Sequence, residues 1–330
     1  MIFKERLVPL KVLKFQALLR RLPEDHPKRS KIEGEYAKNK AGFQGEKSID
    51  YYLDQLSTKD YLIFHDLRLE GEGGYFFQID TLILTSRFAI IIEVKNMIGT
   101  LLFDQSFNQL IRTINEKEEV FPDPLLQIER LQIQLRKWLQ KFNFPLVPIN
   151  SFVVISKYSS LIKATKQNHE ISNKVIHAEA IPKKIATIDS MFKKELITRQ
   201  EAKKLSRQLI KQHREYSSDI LKIFQLHRSE IMTGVYCSEC LFMPLTKERR
   251  GWLCPICENY SKDIYLPSLL DYFLLFGPMI NNQKAREFLR LPSSSICNKL
   301  LSSLNLPSSG DYKNRKYELT LTIFKKYIHS

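Results

Sequence analysis

Two strands and the turn between them are encoded in Phe76-Phe77-Gln78-Ile79-Asp80-Thr81-Leu82-Ile83-Leu84-Thr85-Ser86-Arg87-Phe88-Ala89-Ile90-Ile91-Ile92-Glu93-Val94-Lys95, and the architecture follows from them. Phe76 to Leu84 and Phe88 to Asn96 read as two strands, with Thr85, Ser86 and Arg87 as the hairpin turn between them. Phe88 to Ile92 shows no polar alternation, which predicts a central strand covered on both faces. Charge then arrives at the strand ends, as Asp80 and as Glu93 and Lys95, where an unpaired charge is expensive to desolvate. A period of two puts Glu93 and Lys95 on one face, and the hairpin brings Asp80 close to them.

Outward from this hairpin, Tyr61 to His65 and Thr100 to Phe103 add strand signals. Asp123-Pro124 is a helix start, an N-cap followed by proline at the first helical position. Leu131, Leu135, Trp138 and Phe142 give that helix a buried stripe, and Ser151 to Ile155 supply a further strand after it. A helix between strands predicts an α/β or α+β sandwich with a mixed sheet flanked by helices. Upstream, Leu10, Leu13, Ala17 and Leu18 mark a short basic helix ending near Pro23, and a second helix runs from about Ile32 to Leu56. Gly45 and Glu46 lie inside the second one, and since a helical glycine costs about 1 kcal/mol, close backbone packing is the expected reason for it.

The whole chain of 330 residues carries 51 Lys and Arg against 36 Asp and Glu, a net charge of +15. That excess favours a polyanion, either nucleic acid or an anionic membrane surface. Its longest purely apolar runs, Phe88 to Ile92 and Tyr272 to Phe276, are five residues each. A membrane span needs about 20. Lys11 and Lys14 interrupt the apolar residues of the N-terminus, so no signal peptide is read, and a cytoplasmic protein is expected. Residues 1–31 hold nine Lys/Arg against three acids, and Pro182 to Arg228 twelve against five. Both stretches read as helical, with a solvated basic face or a nucleic-acid contact as the two alternatives.

Two carboxylates and an ammonium converging at a sheet end form an oxygen site suited to Mg²⁺ or Mn²⁺. A cation there stabilises charge on a phosphate and acidifies a bound water, with Lys95 holding the nucleophile or the scissile phosphate. That chemistry is phosphodiester hydrolysis. The alternative is a structural ion pair finishing a surface strand. The acid-x-Lys triplet also occurs at Glu201-Ala202-Lys203 and Asp311-Tyr312-Lys313, so only the strand context separates the first case from the others.

Cys237-x-x-Cys240, thirteen residues, then Cys254-x-x-Cys257 is the most specific motif in the chain. Two tight turns, each presenting two thiolates, complete a tetrahedral sulfur site for structural Zn²⁺, with a rubredoxin-like iron as the alternative. Cys297 is expected to be a small buried hydrophobe. Pro267 to Phe276, Asn281 to Leu291 and Ser293 to Leu304 then read as three short helices, and Ser308 to Leu321 as a two-stranded wing. This pattern predicts a winged-helix-like module, with the Ser293 helix as reader and Lys313, Arg315 and Lys316 as phosphate-contacting cations of the wing. A protein-interaction module is the alternative. His65 and His177 are expected to be structural.

The order Gly45-Glu46 on a helix, Gln78-Ile79-Asp80, an apolar strand into Glu93-Val94-Lys95, then Gly99, resembles the NERD (nuclease-related domain) family, which is similar to PD-(D/E)XK nucleases. The resemblance runs from about Gly42 to Gln127. It implies a restriction-endonuclease-like sheet and a metal-dependent DNA-processing enzyme, with Glu46 as the helix-borne acid, Asp80 and Glu93 as Mg²⁺ or Mn²⁺ ligands, and Lys95 as the catalytic lysine. Gln127, after Asp123-Pro124, resembles the family's Asn-Pro-x-x-Gln segment. Asp123 replaces the Asn there, and Thr81 stands where many relatives have His. The expected organisation is a basic helix over 1–31, a NERD domain over 32–180, a basic helical segment over 181–230, a zinc ribbon over 231–265 and a winged-helix-like module over 266–330. The expected function is a DNA nuclease. Its rivals are a non-catalytic nucleic-acid-binding regulator that keeps the fold, and an assembly adaptor.

Overall fold

Seven residues, Ala89 to Lys95, set the plan: every side chain from Ala89 to Val94 is buried, as the unbroken apolar run demands. The computed structural model describes residues 1–56, 60–165, 169–311 and 314–328. Its contacts group into two compact units, one made of Met1–Arg6 with Lys40–Tyr216 and the other of Leu7–Asn39 with Ser217–Ser330.

In the first unit the strands are β1 (Ile2–Lys4), β2 (Leu62–Glu70), β3 (Phe76–Leu84), β4 (Ala89–Lys95), β5 (Thr100–Asp104), β6 (Gln109–Ile114), β7 (Lys117–Pro122), β8 (Ile149–Ile155), β9 (Leu161–Ala164) and β10 (Val175–His177). A six-stranded mixed sheet has the order β1-β2-β3-β4-β8-β10. Pairing is antiparallel from β2 through β4 and parallel at β1/β2, β4/β8 and β8/β10. The expected hairpin is present, with Leu84 opposite Ala89 and Thr85 N–H donating to Phe88 O at 2.9 Å.

Alternation assigns each face of β4 a cover. Ala89 and Ile91 pack with Leu131, Leu135 and Trp138 of the helix Pro124–Lys141 and with Leu205 and Leu209 of the helix Arg199–Gln212. Ile90, Ile92 and Val94 pack with Ile49, Leu53 and the helix Ile181–Met191. The basic stretch after residue 181 thus covers both sheet faces with amphipathic helices as far as Tyr216. The helix expected over 32–56 is two, Arg29–Ser48 and Asp50–Leu53, with fully buried Ile49 at the break.

A second sheet, order β7-β6-β5-β9, closes over Leu125 and Ile128 of the Pro124–Lys141 helix. Sequence patterning did not disclose β6 and β7. Their turn, Asn115-Glu116, has φ of 48° and 62°, the type I′ geometry that Asn-Gly normally signals, and Glu stands in the glycine position.

The second unit joins the helix Leu10–Arg21, the first part of the helix Arg29–Ser48 and all that follows Ser217 around one core. Three two-residue strands, Thr246–Lys247, Trp252–Leu253 and Tyr260–Ser261, form an antiparallel ribbon. Beyond it lie the helices Tyr265–Phe276, Asn282–Leu289 and Ser294–Ser303. Strand Lys316–Glu318 pairs with both Ser308–Ser309 and Met279–Asn281, so the wing is braced by a third strand ahead of the second helix. Arg21 and Asp271, both fully buried, bond through Nε and Oδ2 at 2.8 Å, and Arg20 reaches the other oxygen at 2.7 Å. Among the described residues no helix is long and apolar enough to cross a membrane.

Candidate active site

The end of β4 collects the acids. Glu93 and Lys95 share the face of Ala89 and Ile91, beneath the first turn of the helix Pro124–Lys141. Asp123 starts that helix by accepting from Leu125 N–H through Oδ1 at 2.8 Å, and Pro124 fills the first position. Gln127 is thereby presented one turn in. Lys95 Nζ donates to Glu93 Oε1 at 2.8 Å and to Gln127 Oε1 at 2.9 Å. Asp80 Oδ2 accepts from Val94 N–H at 2.9 Å, which holds the β3 carboxyl at the same strand end.

Glu46 approaches from the other side, on the last turn of the helix Arg29–Ser48. Gly45 lets it do so. A Cβ added there would lie 2.3 Å from Asn96 Cβ and 2.8 Å from its Cγ, so glycine permits the helix to rest against the residue after β4. Asn96 is fixed in turn, donating Nδ2 to Ala41 O at 2.6 Å and accepting from Ser156 Oγ at 2.9 Å.

Burial dominates the electrostatics. It pushes the Glu46 carboxyl up to about 7 against the pull of Arg6, with Asp66 and Glu93 adding to the rise. Burial, then the Glu93 and Glu46 carboxylates, raise half-buried Asp80 well above the usual carboxylate range, against a smaller pull from Val94 N–H and Lys95. Glu93 is 4% exposed and its Oε2 has no hydrogen-bond partner among the described residues. A buried carboxylate oxygen without a donor from the chain needs an outside partner, a water or a cation.

Two neighbours of this cluster escaped the sequence reading. Arg6, two residues beyond β1, bonds to Glu46 at 2.9 Å. Asp66 lies across from Asp80, at the point where the inward-facing positions change phase in both strands: Phe64 gives way to Leu67 on β2, and Ile79 to Leu82 on β3. Asp66 takes a φ of 49° there and accepts from Gln78 Nε2 at 2.6 Å. A left-handed residue inside an otherwise regular strand leaves no sequence signal beyond an aspartate amid strand-forming residues. His65, expected to be structural, accepts at Nδ1 from Arg6 Nη2 at 2.8 Å, while burial, Arg6 and Lys4 drive its pKa down to about 3, so the ring is neutral.

The four paired cysteines come together. One sulfur from each lies within 4.8 Å of the others, with Cys237 and Cys257 at 3.5 Å and Cys240 and Cys254 at 3.4 Å. A tetrahedral site with metal–sulfur bonds of about 2.3 Å needs sulfurs about 3.8 Å apart, so the cluster fits a metal of that kind. Burial alone would raise the Cys237 thiol, but the N–H groups of Cys240 and Glu239 bring it down to about 6, toward the ligating thiolate. Cys297 is buried in the helix Ser294–Ser303.

Of the wing cations, Lys313 lies outside the described residues, and Arg315 and Lys316 are exposed. Lys316 lines a hollow of about 310 Å³ with Asn281, Ser309, Gly310 and Asn314.

Residues 41–156 match the family model of the nuclease-related domain, NERD. Neither a curated protein nor a solved structure matches the chain.

Proposed function

We propose, on the premise that residues 41–156 carry a nuclease-related domain, that the chain hydrolyses phosphodiester bonds in DNA with Mg²⁺ or Mn²⁺ held by Asp80 and Glu93. The observation that carries this reading is the unpartnered, buried Glu93 Oε2 beside a second carboxyl on the neighbouring strand. A bound cation supplies Lewis acidity toward a phosphoryl oxygen and a water acidified for attack. The chain's own groups do the rest. Glu93 and Gln127 each accept from Lys95, so the ammonium is oriented before substrate arrives and has a third proton free for a phosphate or an attacking water. Glu46 stands on the helix side within electrostatic reach of Glu93, and a bound cation would draw off the proton that burial keeps on it.

The cysteine cluster is assigned a structural Zn²⁺ that staples the ribbon, where the strands are only two residues long and cannot hold a core alone. DNA is held by the winged-helix-like module, through Arg315 and Lys316 and, outside the described residues, Lys313. The excess of cations supports a nucleic-acid partner.

Cleavage assays over single- and double-stranded DNA with Mg²⁺ and Mn²⁺ test the reading, run beside Asp80→Ala. That variant should lose cleavage while keeping DNA binding, whose logarithm should fall by about 0.9 per neutralised phosphate per log unit of salt on duplex DNA. Full cleavage by Asp80→Ala removes Asp80 from the mechanism. Tight, salt-sensitive binding with no nicking of any substrate makes the protein a non-catalytic binder.

A further inference from the structure

The family match begins at residue 41, yet the helix acid inside it is held by a side chain that lies 35 positions before the match. β1 pairs in parallel with β2 at the sheet edge, and the chain leaving β1 delivers Arg6 inward, where its side chain is only 3% exposed. A guanidinium has five N–H donors in a rigid fork. All its nitrogens are engaged. Nη1 donates to Glu46 Oε2 at 2.9 Å and to Asp80 O at 3.5 Å, Nε to the Asp50 carboxylate at 3.1 and 3.2 Å, and Nη2 to Thr81 Oγ1 at 3.0 Å and His65 Nδ1 at 2.8 Å.

These partners sit on four separate elements: two acids on consecutive helices, a histidine on β2, and a hydroxyl and carbonyl on β3. One cation therefore spans the gap between the Glu46 helix and the strand bearing Asp80. A point charge placed for neutralisation alone needs no such fork, and a lysine could not reach all these acceptors. His65 fits the same arrangement, because its neutral ring can offer Nδ1 as an acceptor to the guanidinium.

We infer that Arg6 is a positioning residue for the acidic site: it sets the Glu46 carboxylate against Asp80 and Glu93, and so makes the first six residues a working part of the nuclease-like unit. The inference rests on the cation-binding part of the proposed function and not on cleavage. Glu46 is the group through which Arg6 acts, and the fork is what acts.

The test is a double-variant cycle on the full chain, reading Mn²⁺ affinity by isothermal titration calorimetry. Arg6→Lys keeps the charge and loses the fork, so Mn²⁺ affinity should fall by about 10-fold or more, the usual effect of removing a group that orients a ligand. Glu46→Gln should weaken binding as well, and the combined variant should be no weaker than Glu46→Gln alone within about a factor of 2, because residues acting as a unit do not add. Thr81→Val, which frees one tine of the fork with every charge in place, should give a smaller loss in the same direction and serves if Arg6→Lys does not fold. Wild-type affinity in Arg6→Lys, or losses that multiply in the combined variant, overturns the inference. Mn²⁺ binding by the unaltered protein without any DNA cleavage overturns the hydrolytic reading and leaves this one standing. Absence of Mn²⁺ binding overturns both.

Discussion

The helix Arg29–Ser48 carries three glycines, Gly34, Gly42 and Gly45, and replacing each with alanine separates propensity from packing. Alanine gains about 1 kcal/mol over glycine in a helix interior, so propensity alone stabilises all three variants equally. The surroundings differ. A Cβ on Gly34 or Gly42 meets nothing within 4 Å, whereas one on Gly45 meets Asn96 Cβ at 2.3 Å, Asn96 Cγ at 2.8 Å and Ser156 Oγ at 3.2 Å. Carbon atoms pack at about 3.5 to 4.0 Å, so helix and strand must part by roughly 1 Å. Asn96 cannot swing aside, because the nearest atom is its Cβ and its amide is bonded on both sides. Overpacking of this kind costs about 1 to 3 kcal/mol. Gly42→Ala should therefore raise the denaturation midpoint by up to about 1 kcal/mol equivalent, and Gly45→Ala should fall about 1 to 3 kcal/mol below Gly42→Ala. Guanidinium titrations followed by circular dichroism measure the difference, with Mn²⁺ affinity recorded alongside because Glu46 moves with the same turn. A Gly45→Ala protein as stable as Gly42→Ala, binding Mn²⁺ unchanged, refutes the close approach.

Acidity gives a second prediction. The folded chain holds a proton on Glu46 up to about pH 7, while the unfolded chain releases it near the ordinary value of 4.5. Between those limits the native state binds more protons, so in chelator stability should fall as pH rises from about 4.5 to 7, and Glu46→Gln should flatten that slope. Asp80 acts in the same direction. Mn²⁺ uptake near neutral pH should accordingly release protons, seen as a calorimetric enthalpy that varies with the buffer. For the cysteines, elemental analysis should find about one zinc per chain, and Cys240→Ser or prolonged chelation should remove it and lower the melting temperature of the second unit. Full metal content in Cys240→Ser would remove that residue from the ligand set.

The hairpin, the central strand and the Asp123-Pro124 helix start were readable because each rests on local chemistry: an apolar run, a turn, a cap. The cysteine spacing was readable for the same reason. Gly45 was a partial case, since its helical cost announced close packing without saying against what. Glu46 and Gln127 look like ordinary helix residues, and only family resemblance singled them out; the structure places Gln127 on Lys95 and Glu46 within electrostatic reach of Asp80 and Glu93. Arg6 was hidden among nine N-terminal cations, because its placement depends on β1 pairing with a strand some 60 residues later. Asp66 was hidden by the change of phase it creates. The polar strands β6 and β7 lack the alternation that would have revealed them.

The chain interleaves its two units, and this shapes how it must be made. The ribosome releases β1 and Arg6, then Val12, Leu13, Phe15 and Leu18 on the helix Leu10–Arg21, long before their partners exist. Arg21 waits 250 residues for Asp271. Throughout synthesis of the nuclease-like unit the nascent polypeptide trails an amphipathic helix whose greasy side has nowhere to dock, a natural client for a chaperone. A dissection at residue 216 would strand the same helix permanently. Anyone seeking the nuclease-like unit alone has to stitch residues 1–6 onto 40–216 and discard what lies between.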